Sequence, residues 1–421
     1  MRLDWLASWI GSWPKELPRL YPQLDDRLLS CFLSDAEYRS ILKLPRVAVL
    51  PLVGHRSSPH DRAFGAGLAR ILTRDLALIE TLSMHGPDHV PVVPADKVAE
   101  AYPQHNHGVI WLAGAAHVEE GLCQVDLSLY RPDRPAESLQ VRGSMFKTFL
   151  TECSSAVAEA LGANVSDLLR QMWTQGRPTN VMNLLNFGKL TSEDIAARQR
   201  SRLAAQLWHD DMDFSVVLQA VGDFEPKYRL MLMEGNRRDP YNVPLLCQLF
   251  SAVRETKGHE PYAVQFARRA IELSPGYGHA HCLMLEAAHP DANLYRHAEL
   301  GRHLLPNQID AICTFLAGSC RAGKTAKELT EIVREAINTN PYDPENYHRV
   351  IDTLMGVKQP RYALEIAKGL QQLFEPEMNP RTRQLLEQDP RHRHLLLNPD
   401  YDPVREVRAL MRQLRESIAG K

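Results

Sequence analysis

Five prolines recur at nearly equal intervals in the second half of this 421-residue chain. Pro240, Pro275, Pro306, Pro341 and Pro376 are separated by steps of 35, 31, 35 and 35 residues. Each proline follows a stretch that reads as a helix with an alanine-rich face, and proline cannot continue a helix. A period of this size is typical of stacked helical hairpins, which bury their apolar faces only against their neighbours. We therefore expect roughly the last 180 residues to form a stack of repeats. Such stacks usually hold other proteins and seldom carry out chemistry.

The composition is typical of a soluble globular protein, and the length suits two or three domains. Hydrophobic residues make up 44% and charged residues 24% of the chain, and 49 basic against 51 acidic residues leave a formal net charge of -2. This balance provides no general attraction to nucleic acid or to an anionic membrane, so we expect no direct binding of nucleic acid. No apolar run reaches the roughly 18 residues of a membrane-spanning helix, and we expect no transmembrane segment.

The cysteines are scattered, odd in number and nowhere arranged as a CxxC pair. This usage predicts buried thiols in a reducing compartment, and hence a cytoplasmic protein. The seven residues are Cys31, Cys123, Cys153, Cys247, Cys282, Cys313 and Cys320.

Residues 1–44 are predicted to form a helical segment that is interrupted by prolines. Trp5, Trp9 and Trp13 are spaced four residues apart, so they share one face of a short helix. This face either docks on the body of the protein or anchors the chain to a partner or a membrane surface. The scarcity of basic residues argues against the membrane, and the broken apolar stretch makes a poor signal peptide. Ser34 and Glu37 have the spacing of a capping box at the start of a short helix.

Residues 45–163 have the pattern of a small α/β domain with the element order β-α-β-α-β-β-β-α. The run Val47–Val53 is rich in β-branched residues and suits a buried strand, and an amphipathic helix follows it. Two later runs on either side of Glu119-Glu-Gly121 predict a β-hairpin. The predicted strands are residues 47–53, 89–93, 109–118, 122–130 and 138–144, and the predicted helices are 64–79, a short one from 95, and 148–161.

This pattern resembles the TolB-like amino-terminal domain, a module that bacterial regulatory proteins carry between a signalling domain and tetratricopeptide repeats. The resemblance depends on VAVLPLVG, the helix FGAGLARILTRDL, the hairpin VIWLAGAAHVEEGLCQVDLSLY and the closing SLQVRGSMFKTFLTECSSAVAEALG. It covers residues 45–163 and is a pattern of strand types more than of invariant residues. It implies a binding or sensory module without catalytic residues.

Residues 164–236 are predicted to be a helical connector with helices near 165–173 and 192–208. Residues 237–379 resemble tetratricopeptide repeats, and the best copy runs from Pro341 to Gly356 and from Arg361 to Leu370. The buried stripes of that copy are predicted to be Tyr347, Val350 and Leu354 on the first helix and Ala363, Ala367 and Leu370 on the second. Residues 380–421 are predicted to be an extension whose helix at 404–418 caps the last repeat. The predicted fold is thus a small amino-terminal α/β domain followed by an all-α, tetratricopeptide-like solenoid.

Arrays of this kind bind extended peptides or helices in a concave groove lined by the first helix of each pair. The alternative for any single candidate residue is a solvated helix face. By register, the candidate groove residues are Ser251, Arg254, His279, Glu286, His348 and Asp352.

Two glycine motifs imitate nucleotide-binding sequences. Gly318 to Thr325 matches GxxxxGK[ST] letter for letter, but a phosphate loop needs a strand before it and a helix after it. Here the preceding residues stand where the first helix of a repeat belongs, and Gly323 stands at the turn between helices. Gly65-Ala-Gly67 lacks the third glycine of a dinucleotide fingerprint, and we expect a helix start with close packing instead.

Two histidine clusters have metal-ligand residue types, His209-Asp210-Asp211 and His279-x-His281-Cys282. Neighbouring positions of this kind point apart on a helix, so we expect a metal site at neither. No Ser-His-Asp or Cys-His arrangement and no GxSxG motif can be recognised. We therefore predict no catalytic residue, no metal and no cofactor.

Three functions are compatible with these features. The first is a non-enzymatic adaptor, in which the α/β module senses or docks and the repeats grip a protein partner. The second is the effector half of a transcription regulator that acts with a separate DNA-binding subunit, because residues 1–44 are too short for a winged helix. The third is an ATP-dependent enzyme that uses Lys324, which the helical context disfavours. Assembly into a homo-oligomer is left open.

Overall fold

The computed structural model describes residues 33–54, 58–87, 90, 97–105, 108–192, 195–221, 226–254, 260–287, 292–375, 377–388 and 402–419. The chain divides into two compact units, Met1–Ala288 and His289–Lys421. The amino-terminal part of the first unit is α/β with a mixed sheet, and the described residues beyond it are helical. This confirms the coarse fold class, whereas the domain borders at residues 44, 163, 236 and 379 stay predictions.

The α/β part is built around a sheet in the order β3-β1-β4-β5-β6, with β2 paired to β4. Strand β1 runs parallel to β3 and β4, while β4, β5 and β6 are antiparallel to their sequence neighbours. In chain order the elements are α1 (Asp35–Ile41), β1 (Arg46–Val49), β2 (Val53–Gly54), α2 (Pro59–Leu76), β3 (Ser83–His85), α3 (Val98–His105), β4 (Ile110–Glu119), β5 (Leu122–Arg131), β6 (Arg134–Gly143) and α4 (Phe146–Ala160).

The predicted hairpin is confirmed, because β4 and β5 pair in register on either side of a two-residue turn. Glu120 and Gly121 both have positive φ angles, which is what a tight turn of this handedness requires. The strict alternation along β5 also holds, since its predicted inward set is at most 1% exposed: Cys123, Val125, Leu127 and Leu129. The capping box at Ser34 and Glu37 is present as predicted.

The connection from β1 to β3 differs from the prediction in where its helix begins and in the strand that follows the helix. Helix α2 begins at Pro59, five residues before the predicted start, because the Ser58 hydroxyl accepts hydrogen bonds from the backbone N–H groups of His60 and Asp61. Strand β3 was not predicted, since Ser-Met-His lacks the β-branched residues that usually mark a strand. The strand predicted at 89–93 falls almost wholly outside the described residues.

Helix α2 is the central helix of the first unit and packs on both the sheet and helix α6. Its predicted apolar face is completely buried at Leu68, Ile71 and Leu72. The described elements in the rest of the unit are α5 (Asp167–Thr174), α6 (Val181–Ser192), α7 (Ala197–Asp210), a 3₁₀ helix (Ser215–Ala220), α8 (Pro226–Arg238), α9 (Val243–Arg254), α10 (Glu260–Leu273) and α11 (Gly278–Ala287).

The second unit is helical throughout its described residues. Its helices are α12 (Ala292–Leu304), α13 (Ile309–Arg321), α14 (Ala326–Asn338), α15 (Pro344–Gly356), α16 (Pro360–Gln372), α17 (Pro380–Gln388) and α18 (Pro403–Ala419). Helix α13 packs on α12, α14 and α15, and α15 packs on α14 and α16. The predicted terminal helix is confirmed as α18, which packs on α16.

The repeat pattern correctly located both the helix ends and the buried residues. Pro240, Pro275, Pro306 and Pro341 each lie two or three residues after the end of a helix, while Pro376 lies outside the described residues. The predicted stripes are buried except for Tyr347, which is half-buried and donates its hydroxyl to the Pro341 carbonyl at 3.1 Å. Among the described residues, no helix combines the length and apolarity needed to cross a bilayer.

Candidate functional site

The predicted groove residues lie on three helices in two units. Ser251 and Arg254 belong to α9 and His279 to α11, all in the first unit, whereas His348 and Asp352 belong to α15 in the second. The remaining predicted binding residues have side chains outside the described part of the structure: Glu286, Trp5, Trp9 and Trp13.

The structure brings Ser251 and His279 together at one pocket of about 290 Å³, here named the Ser251 pocket. Helix α9 forms one wall with residues three or four positions apart, which share a face of the helix. Arg254 lies outside this lining and is exposed. The full lining is Arg70, Thr73, Arg74, Gly86, Gln219, Pro244, Cys247, Gln248, Ser251, Tyr277 and His279.

Hydrogen bonds from two side-chain amides fix the side of the pocket that α9 forms. Gln248 donates from Nε2 to the Gln219 carbonyl at 2.6 Å, and Gln219 donates in turn to Asn242 Oδ1 at 3.3 Å. The Oε1 atom of Gln248 is buried and has no hydrogen-bond partner among the described residues. A buried acceptor without a partner is costly, so a ligand with a hydrogen-bond donor would relieve it.

The lining of the pocket contains basic side chains. No aspartate or glutamate is among its lining residues, whereas Arg70, Arg74 and His279 are. The charge of Arg74 is matched from behind, because its Nη1 lies 2.9 Å from Asp75 and its Nη2 lies 2.7 Å from Asp239. A lining that contains basic side chains and no carboxylate suits a ligand that carries negative charge.

The pocket contains one thiol, Cys247, which is buried. Burial, followed by the neighbouring Cys282, raises the pKa of the Cys247 thiol. A thiol with a raised pKa stays protonated at neutral pH and is a poor nucleophile. The pocket is therefore suited to binding more than to covalent chemistry. The buried-thiol prediction is confirmed for Cys123, Cys153, Cys247, Cys282 and Cys313, and Cys320 is a half-buried free thiol.

A buried ion-pair network lies behind the Ser251 pocket and was missed in the sequence. Arg74 and Asp75 on α2 meet Asp239, and Asp75 also pairs with Arg177. All four side chains are at most 5% exposed. The signal was present, because Asp75 stands four residues after Ile71, on the face of α2 that the apolar spacing assigns to the core.

In the second unit, His348 and Asp352 occupy an exposed face of α15. They are four residues apart and therefore neighbours on the helix surface. Both are exposed, while Val350 and Leu354 on the opposite side are at most 1% exposed. This face carries a titratable group and a carboxylate and is open to a partner.

The GxxxxGK[ST] segment has a helix where a phosphate loop requires a strand. Its first residues end helix α13, and Gly323 forms the turn with a φ of +70°. Thr325 caps α14 and exchanges hydrogen bonds with Glu328, and Lys324 Nζ lies 3.2 Å from Glu328 Oε1. The predicted helical context is confirmed, and the side chains of this motif serve a helix cap.

The Gly65-Ala-Gly67 motif serves close packing, but it lies in the middle of α2 and not at its start as predicted. A Cβ atom at Gly65 would lie 2.6 Å from the Leu52 carbonyl oxygen, and one at Gly67 would lie 2.7 Å from Leu184 Cδ1. Both glycines are therefore required by neighbouring chain segments.

The two histidine clusters have structural partners. Asp211 accepts from the backbone N–H of Thr179 at 2.9 Å and from Asn183 Nδ2 at 2.6 Å. His281 lies with Nε2 2.8 Å from the Pro275 carbonyl, so it points into the helix packing while His279 points into the pocket. Within the described residues, no group of three or more histidine, cysteine or acidic side chains could hold a metal ion.

No model of a known protein family matches this chain, and no curated protein matches it in sequence.

Proposed function

We propose that this chain is a non-enzymatic adaptor that binds a partner polypeptide through its helical repeats, with a TolB-like region as a sensing or docking module. The observation that best supports this proposal is that Ser251 and His279 line the same pocket although they come from different helices. Helices α9 and α11 contact each other and would be the first helices of consecutive tetratricopeptide-like pairs. A groove formed by successive first helices would have this geometry.

The chemistry of the Ser251 pocket favours an acidic side chain or a carboxyl terminus of the partner. Arg70, His279 and Ser251 can each donate a hydrogen bond to a carboxylate, and the lining residues include no aspartate or glutamate. Charge-assisted hydrogen bonds of this kind anchor one side chain and set specificity, while the helix surfaces around it supply the contact area.

The exposed face of His348 and Asp352 supports a second contact with the same partner or another one. Asp352 would pair with a lysine or arginine of the partner, and the His348 imidazole would hydrogen-bond to a polar group. A cytoplasmic location belongs to this proposal, since the free thiols of the described residues suit a reducing compartment.

The experiment compares three full-length chains, wild type, Ser251→Glu and Arg142→Ala, as baits in extracts of the source cells. Ser251→Glu places a carboxylate in a pocket that has none, and we expect recovery of the specific partner to fall by about tenfold, equivalent to about 1.4 kcal/mol. Arg142 is exposed on β6 and lies outside the pocket lining, so Arg142→Ala is the matched control and should recover the partner fully.

Quantitative mass spectrometry gives the measurement, and circular dichroism checks that both variants fold. If all three baits recover the same proteins in the same amounts, the Ser251 pocket does not bind the partner and the proposal is wrong.

A further inference from the structure

We propose that a second pocket of the first unit is a binding site for a phosphate group. It has a volume of about 260 Å³ and lies between the first turn of α4, the segment after α5 and the end of α8. At ~30 Å³ per water molecule this is room for roughly nine waters, enough for a phosphate and an attached group. We name it the Lys147 pocket after the lysine on α4. This proposal does not depend on the proposed adaptor function.

The lining of the Lys147 pocket contains three cations and one carboxylate. The cations are Lys147, Arg177 and Arg238, and the carboxylate is Asp213. Lys147 is exposed and belongs to no ion pair seen among the described residues. Asp75 matches the charge of Arg177, so Lys147 and Arg238 are the cations that would raise the local concentration of anions at this site.

The positive charge of Arg238 is only partly neutralised by its acidic neighbour, Glu234. Its Nε lies 2.7 Å from Glu234, but the same carboxylate also lies 2.7 Å from Arg237 Nε. One carboxylate shared by two guanidinium groups leaves a net positive charge at the carboxyl end of α8. The side chain of Arg238 is 35% exposed, so it can turn towards the pocket.

Arg177 forms a rigid floor to the pocket, because the rest of the unit fixes its guanidinium. The residue is only 5% exposed, donates from Nη1 to Thr151 Oγ1 at 2.7 Å and pairs through Nη2 with Asp75. Its Nε–H group is buried without a hydrogen-bond partner among the described residues. A preorganised arginine with an unused donor is well suited to an oxyanion.

Gln175 contributes a hydrogen-bond acceptor, which complements the donor of Arg177. It lines the same pocket, and its Oε1 atom is buried without a partner in the described part of the chain. The site therefore presents an unused donor on Arg177 and an unused acceptor on Gln175. Hydrogen phosphate has negatively charged oxygens and also a P–OH group at neutral pH, so it can satisfy both. Sulfate has no hydrogen to donate and can satisfy only the first.

The test measures the binding of inorganic phosphate to the full-length chain by calorimetry and by the rise in melting temperature. We expect saturable binding that stabilises the chain, because a ligand that binds only the folded state raises its stability. Sulfate should bind about tenfold more weakly, since it leaves the Gln175 acceptor unsatisfied.

The variants Lys147→Ala and Arg238→Ala should each weaken phosphate binding by about tenfold through the loss of one charge-assisted contact. Both residues are exposed, so these variants should fold, whereas Arg177 is left unchanged because it belongs to the buried ion-pair network. Arg142→Ala removes an exposed arginine outside the pocket and should leave the affinity unchanged.

The bound phosphate group could belong to a phosphorylated protein or to a free phosphate compound, and the same assay distinguishes the two. At about pH 5, where a phosphate monoester also carries a P–OH group, a phosphoserine peptide that binds more tightly than inorganic phosphate, and whose unmodified form does not bind, identifies a phosphorylated protein. Inorganic phosphate that binds as tightly as the peptide identifies a free phosphate compound. Absence of phosphate binding, equal affinity for sulfate, or equal affinity of the Lys147→Ala, Arg238→Ala and Arg142→Ala variants would overturn the proposal.

Discussion

Thr325 shows how a single residue can satisfy a motif by letters and yet serve another purpose. Its hydroxyl accepts from the Glu328 backbone N–H, and the Glu328 carboxylate accepts from both the Thr325 hydroxyl and its backbone N–H at 2.7 and 2.8 Å. The Thr325 bonds, followed by the bond to Lys324, lower the pKa of Glu328 to about 2. In a magnesium-binding phosphate loop the same hydroxyl would have to face the metal.

Thr325→Ala should therefore weaken the cap of α14. We expect the free energy of unfolding of the second unit to fall by about 1 kcal/mol, the usual cost of losing an N-cap side chain. The pKa of Glu328 should rise from about 2 towards its ordinary value of 4.5. Chemical denaturation gives the first quantity and an NMR titration of the carboxyl carbon gives the second.

The sign of the pH dependence follows from the direction of the shift. The folded pKa of Glu328 is depressed, so the cap contributes fully above the ordinary carboxyl pKa and is lost as the pH falls towards about 2. Thr330→Ala is the matched control, since Thr330 lies inside α14 and its hydroxyl donates back to the Ala326 carbonyl. An unchanged Glu328 pKa in Thr325→Ala would contradict the capping role.

At the scale of helices and strands, glycines set how closely α2 and α6 approach. A Cβ atom added at Gly188 of α6 would lie 1.7 Å from the Ala63 carbonyl oxygen of α2, so the two helices would have to separate. We expect Gly188→Ala to lower the free energy of unfolding by about 1–3 kcal/mol, the range for forcing extra volume into a packed core.

The control for this change is Gly356→Ala at the end of α15. A Cβ atom there meets nothing within 4 Å, and the residue has no positive φ. Since alanine is the better helix former, this variant should be neutral or slightly stabilising. Equal effects of the two substitutions on thermal unfolding would mean that close packing at Gly188 contributes nothing.

Sequence periodicity predicted the elements whose burial repeats at a fixed interval. The alternation along β5, the stripe from Val350 to Leu354 and the terminal helix α18 all follow from local spacing. Strand β3 could not be predicted in this way, because three residues without β-branching carry too little signal. It pairs in parallel with β1, from which helix α2 separates it in the sequence.

The candidate sites were only partly predictable, because their residues are far apart in the chain. Register along the repeats indicated Ser251 and His279, yet nothing in their sequence placed Arg70 beside them. The ion pair of Arg74 with Asp239 joins residues 165 positions apart, and only a charge on an apolar face indicated it. The Lys147 pocket has no sequence motif at all.

For the whole molecule, the central claim is that the repeats hold a partner polypeptide. The first unit provides the Ser251 pocket, and the second provides an exposed face at His348 and Asp352. Among the described residues, no group of three or more histidine, cysteine or acidic side chains could hold a metal ion. We propose that both surfaces serve binding.

Site-specific photocrosslinking in the source cells tests this claim most directly. A photoreactive amino acid placed at Ser251 should crosslink the full-length chain to a discrete polypeptide, and the same residue at the control position Arg142 should not. The Lys324→Ala background should leave that crosslink intact. Equal crosslinking at Ser251 and Arg142, or none at Ser251, would contradict the account.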